Sequence, residues 1–407
     1  MFSLRPGSLA LTCAALLSPM LLPGQHPSRP QVNVTTTASR VTRDSLTRQL
    51  QAILDKGVVD SAFPGAIAVI GTRAGVLTTV SAGHIDWVTS PKPSATTLWD
   101  LASLTKVVGM TSAMMQLVEQ GKVDLDAPVQ KYLPEWTGRN KEKVLVRHLI
   151  THQAGLPAFK QYFKLNVSAD STLRLVFAEP LDTLPGVRMI YSDLGAILLG
   201  KIAERVSGEP LDKYLHRHVF EPLGMHDTQY KPAIALRPRI APTEVDPWRA
   251  RQLVGEVHDE NAFALGGVSA HAGLFSTAHD LTRLARAYLN DGALDGARLA
   301  RAATIHQFTT VNDSTFSSRA LGWDTPSDKS SGGHYLQRPA FGHTGFTGTS
   351  LWIAPQHDLF VLLLTNRVNP TRLHTKIGAV RVDVADAAMR LLKPDVVAAI
   401  DGKSGKP

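Results

Sequence analysis

Ser103 and Lys106 stand three positions apart in the stretch LASLTKVVGM, at the start of a segment with helical spacing. On a helix, residues i and i+3 share a face with Cβ atoms about 5–6 Å apart, so the hydroxyl and the ammonium can meet. A serine becomes a useful nucleophile when a neighbouring base or cation lowers the cost of its ionisation. The N-terminus of a helix adds N–H groups that can hold an oxyanion. Ordinary helix-opening polarity is the alternative, because short matches of this kind arise by chance.

Two later stretches carry polar groups of the same kind. Tyr191 stands just before a second predicted helix in MIYSDLGAILLG, with Ser192 or Asp193 available as its N-cap. The stretch FGHTGFTGTSLWIAP places an H-T-G sequence at 343–345 in a polar, glycine-rich lead into a strand. Such a lead lets the edge of a strand approach a ligand closely. The chain therefore contains S-x-x-K, Y-S-D and H-T-G in that order.

The elements that must position these groups follow from the hydrophobic pattern. Strand patterns occur near both ends of the chain, at 65–72, 75–83, 348–355 and 358–366, and helical patterns at 41–60, 104–120, 194–207 and 374–392. The middle, from about residue 99 to 307, is mostly helix and loop. We predict an α/β (α+β) fold in which the early and late hairpins form one antiparallel sheet. Terminal helices cover one face of this sheet and an all-helical lobe covers the other.

The order of the three motifs resembles the serine β-lactamase and penicillin-binding-protein superfamily, whose motifs are S-x-x-K, S-D-N or Y-x-N, and K-T-G. The resemblance covers roughly residues 45–390 and includes LWDLASLTK, VRHLITHQAGLP, HAGLFSTAHDL and LTNR. It implies a β-lactamase/transpeptidase-like fold and a hydrolase that works through an acyl-enzyme. It implies no cofactor and no metal.

The resemblance also implies roles for individual residues. Ser103 would be the acylated nucleophile, and Lys106 and Tyr191 would move the proton. The backbone N–H groups of Ser103 and Phe346 would form the oxyanion hole. The residues implied at the substrate or the oxyanion are Asp193, His343, Thr344, Gly345 and Phe346.

The sequence departs from the superfamily pattern at two of these positions. His343 stands where lysine is usual, and a histidine with an ordinary pKa is largely neutral at neutral pH. A substrate carboxylate therefore loses its usual anchor, unless Arg367 in LTNR replaces it, although an arginine at a strand end is commonly solvated. Asp193 stands where asparagine is usual, and its charge would keep Lys106 protonated. Tyr191 is then the better candidate for the base that takes the serine proton.

The substrate class is predicted from finer similarities. The Y-S-D and H-T-G motifs resemble class C-like esterases and the exported N-acetylmuramyl-L-alanine amidases of cell-wall turnover. GEVHDENAFALGGVSAHAGLFS and FGHTGFTGTSLWIAPQHDLFVLLLTNRVNP are more similar to the amidases. We expect hydrolysis of a peptidoglycan fragment between the muramic lactyl group and L-Ala, or of another small amide or ester. The alternatives are a carboxylesterase, a D,D-carboxypeptidase or β-lactamase, and a non-catalytic wall-binding protein.

The stretch VHDEN concentrates further polar side chains. Neighbours along a strand point to opposite faces, which disfavours a metal site here. We expect these residues to tie down a loop over the site or to contact substrate, namely His258, Asp259, Glu260 and Asn261.

The ends of the chain suggest export. Residues 1–25 combine Arg5 with a short apolar stretch and are predicted as a signal peptide that contains the only cysteine, Cys13. Residues 26–40 are predicted as a linker, 41–395 as the hydrolase domain and 396–407 as a flexible tail. We therefore expect an exported protein of the periplasm or cell envelope, without stable membrane insertion after signal cleavage.

Composition limits the remaining choices. The chain has 407 residues, 43% hydrophobic and 19% charged, which is enough to bury a large core. Its net charge of +8 comes from scattered basic residues without a lysine or arginine run. This pattern argues against a nucleic-acid partner.

Overall fold

A five-stranded antiparallel sheet with strand order β10-β11-β12-β1-β2 forms the centre of the computed structural model. The structure describes residues 34–87, 90–311, 314–315, 317–327 and 330–404. The strands are β1 Gly65–Thr72, β2 Gly75–Gly83, β3 Trp99–Asp100, β4 Gln229–Tyr230, β5 Val245–Asp246, β6 Arg251–Gln252, β7 Leu274–Ser276, β8 Ala293–Leu294, β9 Ala297–Arg298, β10 Phe341–Thr344, β11 Ser350–Ala354 and β12 Leu359–Thr365. The α-helices are α1 Val34–Val59, α2 Thr111–Glu119, α3 Val146–Ile150, α4 Ala169–Ala178, α5 Asp193–Ser207, α6 Leu211–Leu215, α7 Glu260–Ala264, α8 Ala278–Leu289, α9 Ala302–Thr309, α10 Ile377–Leu392 and α11 Pro394–Ser404.

The two predicted hairpins join through their inner strands. β1 lies between β2 and β12, and Ala68 stands opposite both Val80 and Leu363. Nearly every residue of β1 and β12 is buried, as expected for strands covered on both faces. The predicted α/β class and the antiparallel sheet are confirmed. β10, which was not predicted as a separate strand, adds an edge strand next to β11.

The two faces of the sheet are covered as predicted. On one face, α1 and α10 pack against the sheet, and Leu46, Leu50 and Leu54 of α1 are fully buried at a spacing of four residues. On the other face, Ile67 and Val69 belong to a core shared with α2, α5 and α8. The alternation along β1 therefore divides its side chains between two cores.

A small sheet, β3-β7-β4, lies within the segment predicted as helix and loop. Trp99 pairs with Ser276 and Asp100 with Phe275. Strands of two or three residues are too short to show a period-two pattern, so periodicity does not predict them. β3 lies just before Ser103 in the chain, so this small sheet holds the backbone that leads to Ser103.

The ends of the described chain differ from the sequence prediction. α1 begins at Val34, inside the segment predicted as linker. α11 covers most of the segment predicted as a flexible tail, and Val396, Val397 and Ile400 pack against the core beneath α10. Three apolar residues at helical spacing explain why this segment is helical. The predicted signal peptide and Cys13 lie outside the described residues.

Within the described part of the chain, no helix is both long enough and apolar enough to cross a membrane.

Candidate active site

Ser103 is presented by a strained turn that follows β3. Ala102 has φ of 46°, a left-handed conformation that is uncommon for residues other than glycine. Its N–H donates to Asp100 Oδ1 at 2.8 Å, and this bond holds the turn. Non-glycine residues in this region persist only where surrounding contacts impose them, often at functional sites. Ser103 itself is half-buried at the head of the following helical segment.

Lys106 begins a π-helical turn, Lys106–Met110, that leads into α2. Its side chain is fully buried, and the ammonium has three polar contacts. It donates to Ser103 Oγ at 3.0 Å and to the His271 carbonyl at 2.9 Å, and it lies 2.7 Å from Asp193 Oδ1. Burial opposes the charge of Lys106, but the interactions with Asp193 and then Tyr191 outweigh it and raise the pKa above its ordinary value. The predicted effect of Asp193 on Lys106 agrees with this geometry.

Tyr191 lies directly before α5. The hydroxyl of Ser192 caps this helix by accepting the Gly195 N–H, and Asp193 is the first helical residue. The Lys106 ammonium lies 5.1 Å from the centre of the Tyr191 ring. Helix capping thus brings Tyr191 and Asp193 to the ammonium from the same helix end.

His152 packs against the ring of Tyr191 and binds the backbone next to it. The two ring centres are 4.5 Å apart, and His152 Nδ1 accepts the Ser192 N–H at 3.1 Å. Burial, followed by the charges of Arg319 and Lys106, lowers the pKa of His152 well below its usual value. A neutral imidazole is required for Nδ1 to accept this bond.

His343 lies on the edge strand β10. Its Nδ1 donates to the Thr344 carbonyl at 2.8 Å, so Nε2 carries a lone pair, and this buried atom has no hydrogen-bond partner in the described chain. Burial, and then the charges of Arg319 and Lys106, lower the pKa of His343 well below its usual value. The expectation of a neutral His343 agrees with this environment.

The turn between β10 and β11 is tied to the turn that carries Ser103. Thr347 Oγ1 donates to the Asp100 carbonyl at 2.7 Å, and Thr349 Oγ1 donates to the Leu101 carbonyl at 3.1 Å. A Cβ on Gly345 would lie 2.3 Å from the Leu101 carbonyl oxygen, so this close approach requires glycine.

These two linked turns carry the predicted oxyanion hole. Neither the Ser103 nor the Phe346 amide donates a hydrogen bond to another group of the described chain. Two amides that are held in place and remain unused can hold an oxyanion.

The VHDEN residues bind other parts of the chain. The His258 N–H donates to Asp100 Oδ2 at 2.6 Å, and its ring lies 5.6 Å from that of Phe346. Asp259 caps α7, and its Oδ1 lies 2.9 Å from Nε2 of His271.

The last two VHDEN residues also have internal partners. Glu260 accepts a hydrogen bond from Arg372 at 2.7 Å, and Asn261 bonds the backbone at Lys160 and Phe163. These contacts fit the predicted loop-tying role. No group of three or more His, Cys, Asp or Glu residues able to hold a metal ion occurs among the described residues.

Three arginines line the cleft in front of Ser103, and of these only Arg367 was considered from the sequence as a possible anchor. The cleft has a volume of about 530 Å³ and includes Arg319, Arg367 and Arg381. Arg367 is only 8% exposed and donates to the Phe346 carbonyl, so it is not a solvated strand-end residue. Arg319 precedes β10 in a stretch without periodicity, and only tertiary structure brings it to the cleft.

Arg319 has two buried donors without a partner in the described chain, whereas Arg381 has only its Nε and Arg367 has none. The Nε and Nη1 of Arg319 are buried and donate no hydrogen bond within the described chain. Its Nη2 lies 3.7 Å from Asp324 Oδ2, which is long for an ion pair.

Comparison with known proteins places this geometry in context. The family model described as Beta-lactamase matches residues 45–386. A protein from Salmonella agona (strain SL483) named "Putative D-alanyl-D-alanine carboxypeptidase" is 34% identical over 314 residues, which cover 69% of this chain and 72% of the relative.

Solved structures share the fold at low sequence identity. A penicillin-binding protein homologue from Caulobacter crescentus has a TM-score of 0.69 and 23% identity, and the match covers 85% of this chain and 97% of that one. EstCE1, titled a hydrolase with promiscuous acyltransferase activity, has a TM-score of 0.68 and 22% identity, with 85% and 99% coverage.

Proposed function

This chain belongs to the Beta-lactamase family of serine hydrolases, and we propose that it hydrolyses peptidoglycan-derived peptides that carry a carboxylate close to the scissile bond. The first candidate activity is that of a D,D-carboxypeptidase, which removes a terminal residue. The proposal includes export to the periplasm or cell envelope, which the apolar N-terminal stretch supports.

Arg319 is the observation that carries this proposal. A buried guanidinium with unused donors is costly unless a ligand pairs with it. Charged N–H donors of arginine form strong hydrogen bonds with carboxylate oxygens. The buried Nε and Nη1 of Arg319, in the same cleft as Ser103, therefore favour an anionic substrate. The name of the Salmonella agona relative, 34% identical to this chain, also supports it.

The proposed reaction uses the contacts described above. Ser103 Oγ attacks the amide carbon, the ionised Tyr191 oxygen takes its proton, and the Ser103 and Phe346 N–H groups hold the oxyanion. The C–N bond then breaks, and the departing amine takes the proton. Water repeats these steps on the ester and releases the acid and free Ser103. Lys106 remains a cation throughout and favours the ionised oxygens beside it.

A second candidate is the N-acetylmuramyl-L-alanine amidase activity. The segment that suggested it, residues 255–276, supplies the His271 carbonyl that binds Lys106 and the His258 ring beside Phe346. The residues that resemble the amidases therefore lie around Ser103. A resemblance at the active site supports a shared activity more strongly than a resemblance on a distant surface would.

The test is mass spectrometry of muropeptides incubated with the purified protein, with Ser103→Ala as control. Loss of a terminal D-Ala that depends on Ser103 supports the carboxypeptidase candidate. Release of the whole stem peptide from the sugar supports the amidase candidate instead.

If neither product forms, the next substrate is a p-nitrophenyl ester. Hydrolysis of this ester by wild type but not by Ser103→Ala, without any change in muropeptides, would replace both candidates with an esterase. A wild-type protein that acylates on no substrate would contradict the hydrolase proposal and favour the wall-binding alternative.

A further inference from the structure

The carbonyl and the N–H of one peptide group face different partners at the active site. Phe346 supplies the N–H proposed for the oxyanion hole, and the carbonyl of the same peptide group belongs to Gly345. Arg381 Nη2 donates to this Gly345 carbonyl at 2.7 Å. A guanidinium and the oxyanion donor therefore lie at opposite ends of one peptide unit.

The same guanidinium fixes the shape of the turn. Arg381 Nη2 also donates to the Thr349 carbonyl at 2.9 Å, and that carbonyl accepts the Gly345 N–H at 2.8 Å. Both ends of the turn between β10 and β11 are thereby held from α10. Burial, and then the charge of Arg367, lower the pKa of Arg381 to about 10, so it stays a cation at neutral pH.

Hydrogen bonds in series polarise one another, and the effect is larger where the dielectric is low. A cation that donates to a peptide carbonyl draws electron density from the amide nitrogen and makes the N–H a stronger donor. The positive charge also favours an anion at the far end of the peptide unit more than a neutral carbonyl. Such an interaction lowers the energy of the tetrahedral state more than that of the bound substrate.

We propose that Arg381 is a positioning residue of the oxyanion hole, acting on the Phe346 N–H through the Gly345 carbonyl of the same peptide group. The inference rests on the proposed serine-hydrolase chemistry but not on the identity of the natural substrate. It differs from a role in binding the substrate carboxylate, which the two unused donors of Arg319 fit better than the single unused Nε of Arg381.

Arg367 provides a matched control. It is an arginine of the same cleft, and its Nε donates to the Phe346 carbonyl at 2.8 Å. That carbonyl belongs to the next peptide group, whose N–H is that of Thr347. Removing Arg367 takes away a cation and a bond to the same turn but leaves the Gly345–Phe346 peptide bonded to Arg381.

The experiment uses p-nitrophenyl acetate, a small ester without a carboxylate, and phenylboronic acid, which forms an anionic tetrahedral adduct with a serine oxygen. We expect Arg381→Met to lower kcat about 10- to 100-fold, less than the 10²- to 10³-fold loss on removal of an oxyanion donor. KM should change by less than about twofold, and boronate binding should weaken by the same factor as kcat. Arg381→Lys should recover part of the loss, since it keeps the charge but not the planar donor pair. Arg367→Met should have a clearly smaller effect on kcat and on the boronate.

Two outcomes would overturn the inference. Equal losses in Arg381→Met and Arg367→Met would assign the effect to the charge or rigidity of the whole turn. If Arg381→Met left kcat unchanged, Arg381 would have no role in transition-state stabilisation. The same conclusion would follow if boronate binding weakened by the same factor as KM rose. If wild type forms no Ser103 adduct with ester or boronate, the serine-hydrolase proposal fails, and this inference fails with it.

Discussion

At the residue scale, the site places several positive charges around one serine. Lys106 is held as a cation by Asp193, and the cleft in front of it is lined by Arg319, Arg367 and Arg381. Asp193 supplies negative charge beside Lys106 and Ser103, and the oxyanion adds to it during the reaction. An environment of this kind favours both ionisation of the serine and binding of an anionic substrate.

The charge of Lys106 can be tested by Asp193→Asn. Burial lowers the pKa of Lys106, and the Asp193 carboxylate is the main interaction that raises it. Without this carboxylate the pKa of Lys106 should fall towards the working pH range. If the lysine cation is required, kcat/KM of the variant should decline on the alkaline side at a lower pH than in wild type. The measurement is the pH dependence of kcat/KM with a p-nitrophenyl ester. A variant that instead becomes more active as pH rises would assign the base role to Lys106 and not to Tyr191.

The proposed role of Arg319 is tested by Arg319→Gln on two substrates. For a peptide with a free terminal carboxylate, kcat/KM should fall about 10- to 100-fold, which corresponds to a lost hydrogen bond to a charged group. Hydrolysis of p-nitrophenyl acetate, which has no carboxylate, should change by less than about threefold. Arg319→Lys should recover only part of the loss because lysine lacks the planar fork. Equal losses on both substrates would show that Arg319 supports the site and does not select the anion.

At the scale of elements, the site is assembled from loops that buried polar groups hold together. Glu244 accepts hydrogen bonds from the N–H and Nε of Arg372, and its Oε2 lies 2.9 Å from His258 Nε2. Asp100 accepts the N–H groups of Ala102 and His258. Short strands and loops bury little apolar area, so these polar contacts fix their positions relative to Ser103.

Glu244→Gln tests this network through acid stability. Burial opposes the charge of Glu244, but bonds from His258 and Arg372 outweigh it and lower its pKa to about 2. A depressed carboxyl pKa stabilises the fold above the unfolded value of about 4.3, and this contribution is lost as pH falls towards the folded value. At pH 7 we expect the variant to lose about 3 kcal/mol of unfolding free energy, with the difference from wild type shrinking between about pH 4.5 and 2.

The measurement is denaturant unfolding at several pH values. Asp126→Asn removes an exposed partner of Arg147 and serves as the control, for which we expect less than about 1 kcal/mol. If the difference in unfolding free energy between Glu244→Gln and wild type did not change with pH, the lowered pKa of Glu244 would be contradicted.

At the scale of the whole molecule, one sheet joins the two ends of the chain and carries a core on each face. Neighbouring residues of β12 point into different cores: Leu363 packs with α1 and α10, and Leu364 with the helical lobe. The two cores therefore share a backbone strand and cannot separate without breaking the sheet.

This arrangement predicts one cooperative unfolding transition. Leu363→Ala and Leu364→Ala remove side chains that are 1% and 0% exposed and should each cost about 2–5 kcal/mol. Both should shift the same transition, followed by tryptophan fluorescence and by ellipticity. Leu373→Ala, at a side chain 79% exposed, should change stability by less than about 0.5 kcal/mol. Two separate transitions, each shifted by one core variant only, would contradict this prediction.

The sequence alone was sufficient where a residue's environment follows from its neighbours along the chain. Hydrophobic periodicity located β1, β2 and the main helices, and the i, i+3 spacing of Ser103 and Lys106 predicted their contact at 3.0 Å. The capping group before α5 likewise predicted Tyr191 and Asp193 at one helix end. These are local effects of helix and strand geometry.

Only the tertiary structure decided the contacts that span the chain. The His271 carbonyl reaches Lys106 across 165 positions, and Thr347 ties its turn to Asp100 across 247. The three arginines of the cleft come from a loop, a strand end and a helix, and each has a side chain that would be solvated in isolation. Their burial and pairing depend on which surfaces the fold brings together, and that information is not contained in periodicity or spacing.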